Sequence, residues 1–249
     1  MRVALFATCL VDFMRPSVGF AAVQLLEQAG CTVDVPVVQT CCGQPAWNNG
    51  DAENARHLAR QMINVFYHYD YVIVPSGSCA GMLRHHYPTV LADDSDYSEK
   101  ASDLAARCHE LTSFLVDVLG VTTTEATFDG RLTWHDSCSC LREMQVSQQP
   151  RQLLASMPGC ELVELSDNEV CCGFGGTFCV KFPEISTRMV TDKVDAIVAT
   201  GATTVAAADL GCLLNIAGRI SRRELPIRVF HVAELLAGMT DIPAIGEES

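Results

Sequence analysis

Basic residues are scarce in this 249-residue chain: 17 lysines and arginines stand against 30 aspartates and glutamates, a formal net charge of −13. That balance repels phosphate backbones and anionic lipid heads, and no local Lys/Arg cluster offsets it, which argues against nucleic acid as a partner. No run of about 18 apolar residues occurs, so no membrane-spanning helix is expected. The opening MRVALFATCLVDFM sets one arginine before an apolar run, but Asp12 interrupts it and no small-residue cleavage site follows. It reads as a first β-strand, and a cytoplasmic location is expected. Nucleotide signatures are missing too: GFGG lacks the GxGxxG spacing and GxxxxGK[ST] occurs nowhere, so a pyrophosphate cradle is not expected.

Cysteine, in contrast, is abundant, with 13 in the chain. The count is odd, and disulfide frameworks belong mainly to small secreted domains, whereas this chain is long and no export signal is expected in it. In a reducing compartment such density means metal or redox chemistry. Cys171 and Cys172 are adjacent, and neighbouring Cα atoms across a trans peptide lie ~3.8 Å apart, too close for a disulfide that prefers about 4.4 to 6.8 Å.

The chain is written twice. Cys9 precedes Cys41 by 32 positions and Cys79 follows Cys42 by 37; Cys138 precedes Cys171 by 33 and Cys212 follows Cys172 by 40. Each half begins with an apolar run ending at its first cysteine, VALFAT before Cys9 and LTWHDS before Cys138, and both read as buried strands. A helix is predicted over Pro16–Ala29, with its counterpart over Leu141–Met157. Second strands follow in CTVDVPVV and CELVEL, and each CCG lies just beyond. Further helices carry the stripes Leu58, Met62, Val65, Phe66, Tyr69 and Ile185, Met189, Val194, Ile197. Third strands, YVIVPS and TTVAAAD, run into Cys79 and Cys212.

Strands alternating with amphipathic helices give right-handed βαβ units. The expected fold is therefore α/β, with two pseudo-symmetric three-layer α/β lobes built on parallel sheets, spanning residues 1–125 and 126–249. The join is placed near Thr122–Gly130, Ala92–Lys100 is read as an exposed acidic loop, and Pro243–Ser249 as a loose tail. All motif cysteines follow the C-terminal ends of strands, the edge where open α/β sheets form binding crevices. Cys9, Cys41, Cys42 and Cys79 are thus expected to converge on one pocket, and Cys138, Cys171, Cys172 and Cys212 on another.

Four convergent thiolates suit Zn²⁺ or an iron–sulfur cluster. Structural zinc favours CxxC knuckles, and the chain has none: Met82 and Asn215 stand where a second cysteine would close one. Adjacent ligands crowd a single ion, whereas a cluster offers several irons to neighbouring thiolates, which favours iron–sulfur while leaving zinc open. Gly43 and the run Gly173, Gly175, Gly176 allow close backbone approach with N–H groups turned toward sulfur.

The repeated Cys…CCG…Cys pattern, with PSGSCAGM, HDSC, EVCCGFGGTF, KFPEIS, DLGCLLNI and HVAELLA, resembles the cysteine-rich CCG-domain family. That family includes the CCG-bearing subunit of heterodisulfide reductase and the glycolate oxidase iron–sulfur subunit, and the chain is similar in particular to its lactate-utilisation members. The resemblance implies an iron–sulfur redox subunit acting with other subunits, one of them ferredoxin-like, in oxidation of a 2-hydroxy acid, L-lactate to pyruvate. The heterodisulfide relative ends each motif in CxxC and holds noncubane clusters on five cysteines; with Met82 and Asn215 here, a noncubane cluster, a 4Fe-4S cluster and zinc in one lobe all remain open. So do two other roles: reduction of a small disulfide, and a zinc-bearing structural scaffold. No CxxCxxCxxxCP run or organic-cofactor motif is present, so partner subunits must complete the electron path.

Five cysteines remain. Cys31 and Cys160 are read as buried openers of second strands, Cys108 as part of a helix, and Cys140 or Cys179 as a candidate extra ligand, with a spare buried thiol as the alternative. His135, beside Asp136, is expected to pack and make a hydrogen bond behind the metal loop; His85 and His86 are read as a solvated helix face.

Overall fold

A computed structural model describes residues 1–166 and 168–247. Among the described residues, eight short strands make two sheets. β1 (Arg2–Leu5), β2 (Thr32–Asp34), β3 (Tyr71–Val74) and β4 (Cys108–Glu110) form one, in the order β2-β1-β3-β4. β5 (Gly130–Trp134), β6 (Cys160–Val163), β7 (Thr204–Ala207) and β8 (Arg228–His231) form the other, in the order β6-β5-β7-β8. Every pairing is parallel, with Val3 between Val33 and Tyr71 in the first sheet and Leu132 between Leu162 and Thr204 in the second. Identical strand order in two sheets is what a duplicated α/β unit produces. Each sheet lies on one side of the irregular segment around residue 125.

Helices on the sheet faces explain why the strands read as apolar runs and not as alternation. β7 is buried at all its positions. The Pro16–Gln28 helix begins on a proline whose missing N–H costs nothing there, and it buries Val18, Ala21, Ala22, Leu25 and Leu26. Its side chains join a core that runs on into Trp134, Leu153 and Leu235 of the second half, while a smaller core around Phe6, Met62, Phe66 and Tyr87 lies within the first. Among the described residues, no helix is long and apolar enough to cross a membrane.

Several expectations require correction. Cys108 opens strand β4 and is not helical. The fourth strands, β4 and β8, have no counterpart among the strands expected from sequence. The helix expected over Leu141–Met157 is broken into a π-helical turn at Ser139–Glu143 and a helix at Gln148–Ala155, with Gln145 between them in the left-handed region at φ 56°. The second strand expected through CTVDVPVV stops at Asp34; Val37 and Val38 beyond Pro36 are 97% and 67% exposed. On the Pro183–Ala199 helix the buried face is Ser186, Val190, Lys193, Val194 and Ile197, and Ile185 points outward. Nor are residues 243–247 loose: Ala244 and Ile245 are buried, and the Ile245 N–H donates to the Val229 carbonyl at 2.9 Å. Glu248, Ser249 and Asp167 lie outside the described residues.

Candidate metal centres

The sheet edges bring both predicted cysteine sets together. In the first half Cys9 starts the Cys9–Met14 helix, capped by Thr8, whose Oγ1 accepts from the Val11 N–H at 3.4 Å. Cys79 sits in the Gly77–Gly81 turn, its N–H donating to the Ser76 hydroxyl at 3.4 Å. Between them the Cys41–Cys42 loop turns at Gly43, in the left-handed region at φ 87°, and this turn aims the Gly43 N–H at Cys41 Sγ, 3.5 Å away. The Tyr87 hydroxyl holds the Cys42 carbonyl at 2.8 Å. Cys42 and Cys79 sulfurs are 3.5 Å apart, and Cys41 accepts from the thiols of both Cys42 and Cys9.

The second half repeats this arrangement. Gly173, at φ 82°, donates its N–H to Cys171 Sγ at 3.3 Å. A Cβ there would meet the Ser186 carbonyl oxygen at 2.8 Å, so glycine is required twice over. Ser186 Oγ in turn donates to the Gly173 carbonyl at 2.8 Å, tying the loop to its helix. Cys171 accepts from Cys138 and Cys172, and Cys172 contacts Cys212. Asn215, which the sequence places where a CxxC would close, instead donates to the Cys172 carbonyl at 2.9 Å, the role Tyr87 has in the first half. Met82 is fully buried in the smaller core.

Donation from neighbouring thiols and from a glycine N–H stabilises one thiolate per half. Cys41 is pulled down to about 2, first by Cys42 and then by Cys9, and Cys171 to about 2, first by Cys138 and then by Cys172. Their donors shift the other way: Cys9 and Cys138 are raised, mainly because each gives its hydrogen to that thiolate, and Cys42 and Cys172 are held well above the ordinary thiol value. One preformed thiolate beside two thiols that resist ionisation is a starting point for metal capture, with their protons released on binding.

The shape of each quartet bears on what it can hold. Sulfurs interact in sequence along the row Cys9, Cys41, Cys42, Cys79, the last two 3.5 Å apart, and likewise along Cys138, Cys171, Cys172, Cys212. A lone tetrahedral ion with ~2.3 Å bonds would bring all four sulfurs to about 3.8 Å of one another. Among the described residues no three of these cysteines lie mutually within 4.8 Å; the set that does is His135, Cys172 and Cys212. A row of thiolates with separated ends would suit a centre of several metal ions better than a single ion.

His135 departs from its expected role. It is fully buried and neither ring nitrogen has a hydrogen-bond partner among the described residues. Burial, reinforced by Lys193, pushes its imidazole down to about 4, so it is neutral, the form that can bind a metal. Asp136 is occupied elsewhere, accepting from Trp134 Nε1 at 2.6 Å and from Arg151 at 2.7 and 3.0 Å. The two candidate extra ligands are engaged away from the quartet: the buried Cys140 thiol donates to Asp209 at 3.8 Å and Cys179 to the Gly176 carbonyl at 3.4 Å. Cys31 is buried as expected, while Cys160 is half-buried. His86 is half-buried near Trp47, and His85 is exposed. Sequence reasoning missed Asp209, whose carboxylate collects donors from both halves; its position three residues before Cys212 was the available signal.

The family model of the CCG cysteine-rich domain matches residues 3–84 and 132–217, one match per half. The chain belongs to the CCG cysteine-rich family. Curated relatives called lactate utilization protein A agree along nearly the whole length. The protein of Geobacillus kaustophilus is 49% identical over 236 residues, covering 95% of this chain and 98% of the relative. Those of Oceanobacillus iheyensis and Bacillus subtilis are 47% and 46% identical over 236 residues, with 96% and 99% of the relative covered. Among solved structures, an aspartate racemase homologue from Pyrococcus horikoshii aligns at 11% identity and TM-score 0.33 over 95% of both chains, too low to bear on function.

Proposed function

We propose that this CCG-family chain is the iron–sulfur redox subunit of a lactate-utilisation system that oxidises L-lactate to pyruvate. The observation that carries the reading is the duplicated row of four thiols, too extended for one ion and already organised around a stabilised thiolate at Cys41 and Cys171. The names of relatives 46 to 49% identical over 95% of the chain supply the substrate. Cys9, Cys41, Cys42 and Cys79 would hold one cluster, of 4Fe-4S or noncubane type, and Cys138, Cys171, Cys172 and Cys212 the other. Such groups supply one-electron acceptance and release.

The chain's own residues define the rest. Gly43 and Gly173 N–H groups donate to Cys41 and Cys171, which lowers the electron density on sulfur and favours the reduced state. Lactate gives up two electrons and two protons when its carbinol becomes a carbonyl, so partner subunits, including a ferredoxin-like one, take up what this chain passes on. Apolar side chains for docking such partners are exposed in the cysteine-bearing segments: Phe13, Val37 and Val38 in one half, Val180 and Phe182 in the other. A cytoplasmic location accords with a reduced thiol inventory, since all 13 cysteines are free.

A second reading is favoured by the compact His135, Cys172, Cys212 set: a single zinc ion in the second half. Anaerobic purification followed by iron, sulfide and zinc analysis separates the two. Iron and sulfide in two-cluster amounts, falling by about half in Cys171→Ser and staying unchanged in Cys160→Ser, support the redox subunit. Colourless protein holding zinc alone overturns it in favour of a structural scaffold.

A further inference from the structure

The duplication lets each residue of one half be compared with its counterpart in the other. Phe6 and His135 both stand three residues before the first quartet cysteine. Each backbone N–H donates to the third strand, Phe6 to Ile73 at 2.9 Å and His135 to Ala206 at 2.8 Å, and both side chains are fully buried. The phenyl ring of Phe6 packs edge-on against Phe66. No such purpose is evident for an imidazole in the same place: its two nitrogens lack partners among the described residues, and an unsatisfied buried polar group costs about 1–3 kcal/mol. One of them shares a 4.8 Å neighbourhood with the sulfurs of Cys172 and Cys212.

We propose that His135 is a nitrogen donor to the metal centre of the second half, which makes that centre a mixed cysteine–histidine site where its first-half counterpart has cysteine alone. The inference rests on the reading of the quartets as metal centres. The ring is held for the task. Its strand is fixed by the Ala206 contact, and the next residue, Asp136, is clamped by Trp134 and Arg151. A neutral imidazole adds no negative charge, so a centre in which it replaces a thiolate would be easier to reduce than an all-thiolate one. The two halves would then offer chemically unequal ligand sets despite their common fold.

The test uses the full-length chain, purified anaerobically from cells fed either ordinary or ¹⁵N-labelled histidine, reduced, and examined by pulsed electron paramagnetic resonance. The expected result is a strong nitrogen coupling on one of two signals, converted to the ¹⁵N pattern by the label and absent in His135→Phe, which copies Phe6. That variant should also lower the reduction potential of the affected signal and leave the other unchanged. Wild-type protein with no histidine-nitrogen coupling on any signal overturns the proposal, as does coupling that persists in His135→Phe. The labelling result stands even if the variant fails to fold. If iron and sulfide are absent, the iron–sulfur reading fails by itself; Co²⁺ loaded into the same labelled chain then decides on His135 by the same coupling.

Discussion

Ser76 and Asp209 hold the same place in the two halves, each three residues before the last cysteine of its quartet, and they hydrogen-bond to each other at 2.6 Å. Equivalent residues meet only where a pseudo-twofold axis passes, so this contact marks the axis and sets Cys79 and Cys212 on either side of it. Asp209 is 4% exposed and gathers the Ser76 hydroxyl, the Ser78 N–H and hydroxyl at 3.1 and 2.8 Å, the Ser137 hydroxyl and the Cys140 thiol. Removing one buried acceptor therefore leaves several buried donors unsatisfied. Asp209→Ala is expected to cost at least about 3 kcal/mol in denaturant unfolding and to lower metal retention in both halves, whereas Ser76→Ala, which removes one donor, should cost about 1 kcal/mol.

A second contact across the junction concerns Gly77. A Cβ built there would fall inside the van der Waals shell of the Cys140 sulfur and 2.8 Å from the Cys140 backbone nitrogen. Backbone cannot yield as a flexible side chain can, so Gly77→Ala must push the Ser139–Glu143 turn away and should destabilise the chain by about 1–3 kcal/mol. Gly19→Ala is the control. It lies in the Pro16–Gln28 helix with its nearest neighbour at 3.6 Å, and a gain of up to about 1 kcal/mol is expected from the stiffer unfolded chain. Thermal unfolding of both variants against wild type checks the contrast.

What the sequence made legible followed from local signals that the tertiary structure reinforces. VALFAT, YVIVPS and TTVAAAD announce strands because they are apolar throughout, as a sheet covered on both faces demands. The repeated Cys…CCG…Cys spacing was legible because the cysteines lie in the segments that follow strands on the same sheet edge, although the CCG pairs stand several residues beyond Asp34 and Val163. Hidden were features that depend on partners distant in the chain. CHE at Cys108–Glu110 is too short and polar to announce β4, yet it is buried by pairing with Val72–Val74. Likewise, nothing local distinguishes the fully buried His135 from a histidine that packs or hydrogen-bonds behind the loop; its bare nitrogens follow from Asp136 turning to Trp134 and Arg151.

Stability should also depend on pH through Glu110. This carboxyl caps the turn after β4, accepting from the Thr112 N–H and hydroxyl at 2.8 and 2.6 Å and from the Ser113 N–H at 3.0 Å. It is fully buried, and burial outweighs those donors, raising it to about 7. Below the ordinary carboxylate range both folded and unfolded chains hold the proton. Between that range and pH 7 only the folded chain holds it, so stability falls as pH rises across this window and levels off above it. The loss is on the order of 3 kcal/mol. Glu110→Gln keeps an acceptor without a charge to bury and should flatten that slope in urea unfolding measured from pH 5 to 8.

The thiol row makes a prediction that needs no bound metal. In each half one sulfur receives hydrogens from its neighbours, so Cys41 and Cys171 are thiolates well below the pH at which ordinary cysteines ionise, while Cys9, Cys42, Cys138 and Cys172 resist ionisation. Thiolate is the nucleophile, and both low-lying sulfurs are half-buried, so a small reagent can reach them. Brief treatment of the metal-stripped, reduced chain with iodoacetamide at pH 5.5 should modify Cys41 and Cys171 before any other cysteine, as read by peptide mass mapping. Converting Cys42 or Cys172 to alanine removes a thiol that lowers Cys41 or Cys171, and the corresponding cysteine should lose part of its lead. If all quartet cysteines instead react together as the pH rises toward 9, the sulfurs do not share protons along the row, and the ordered deprotonation assigned to metal capture is wrong.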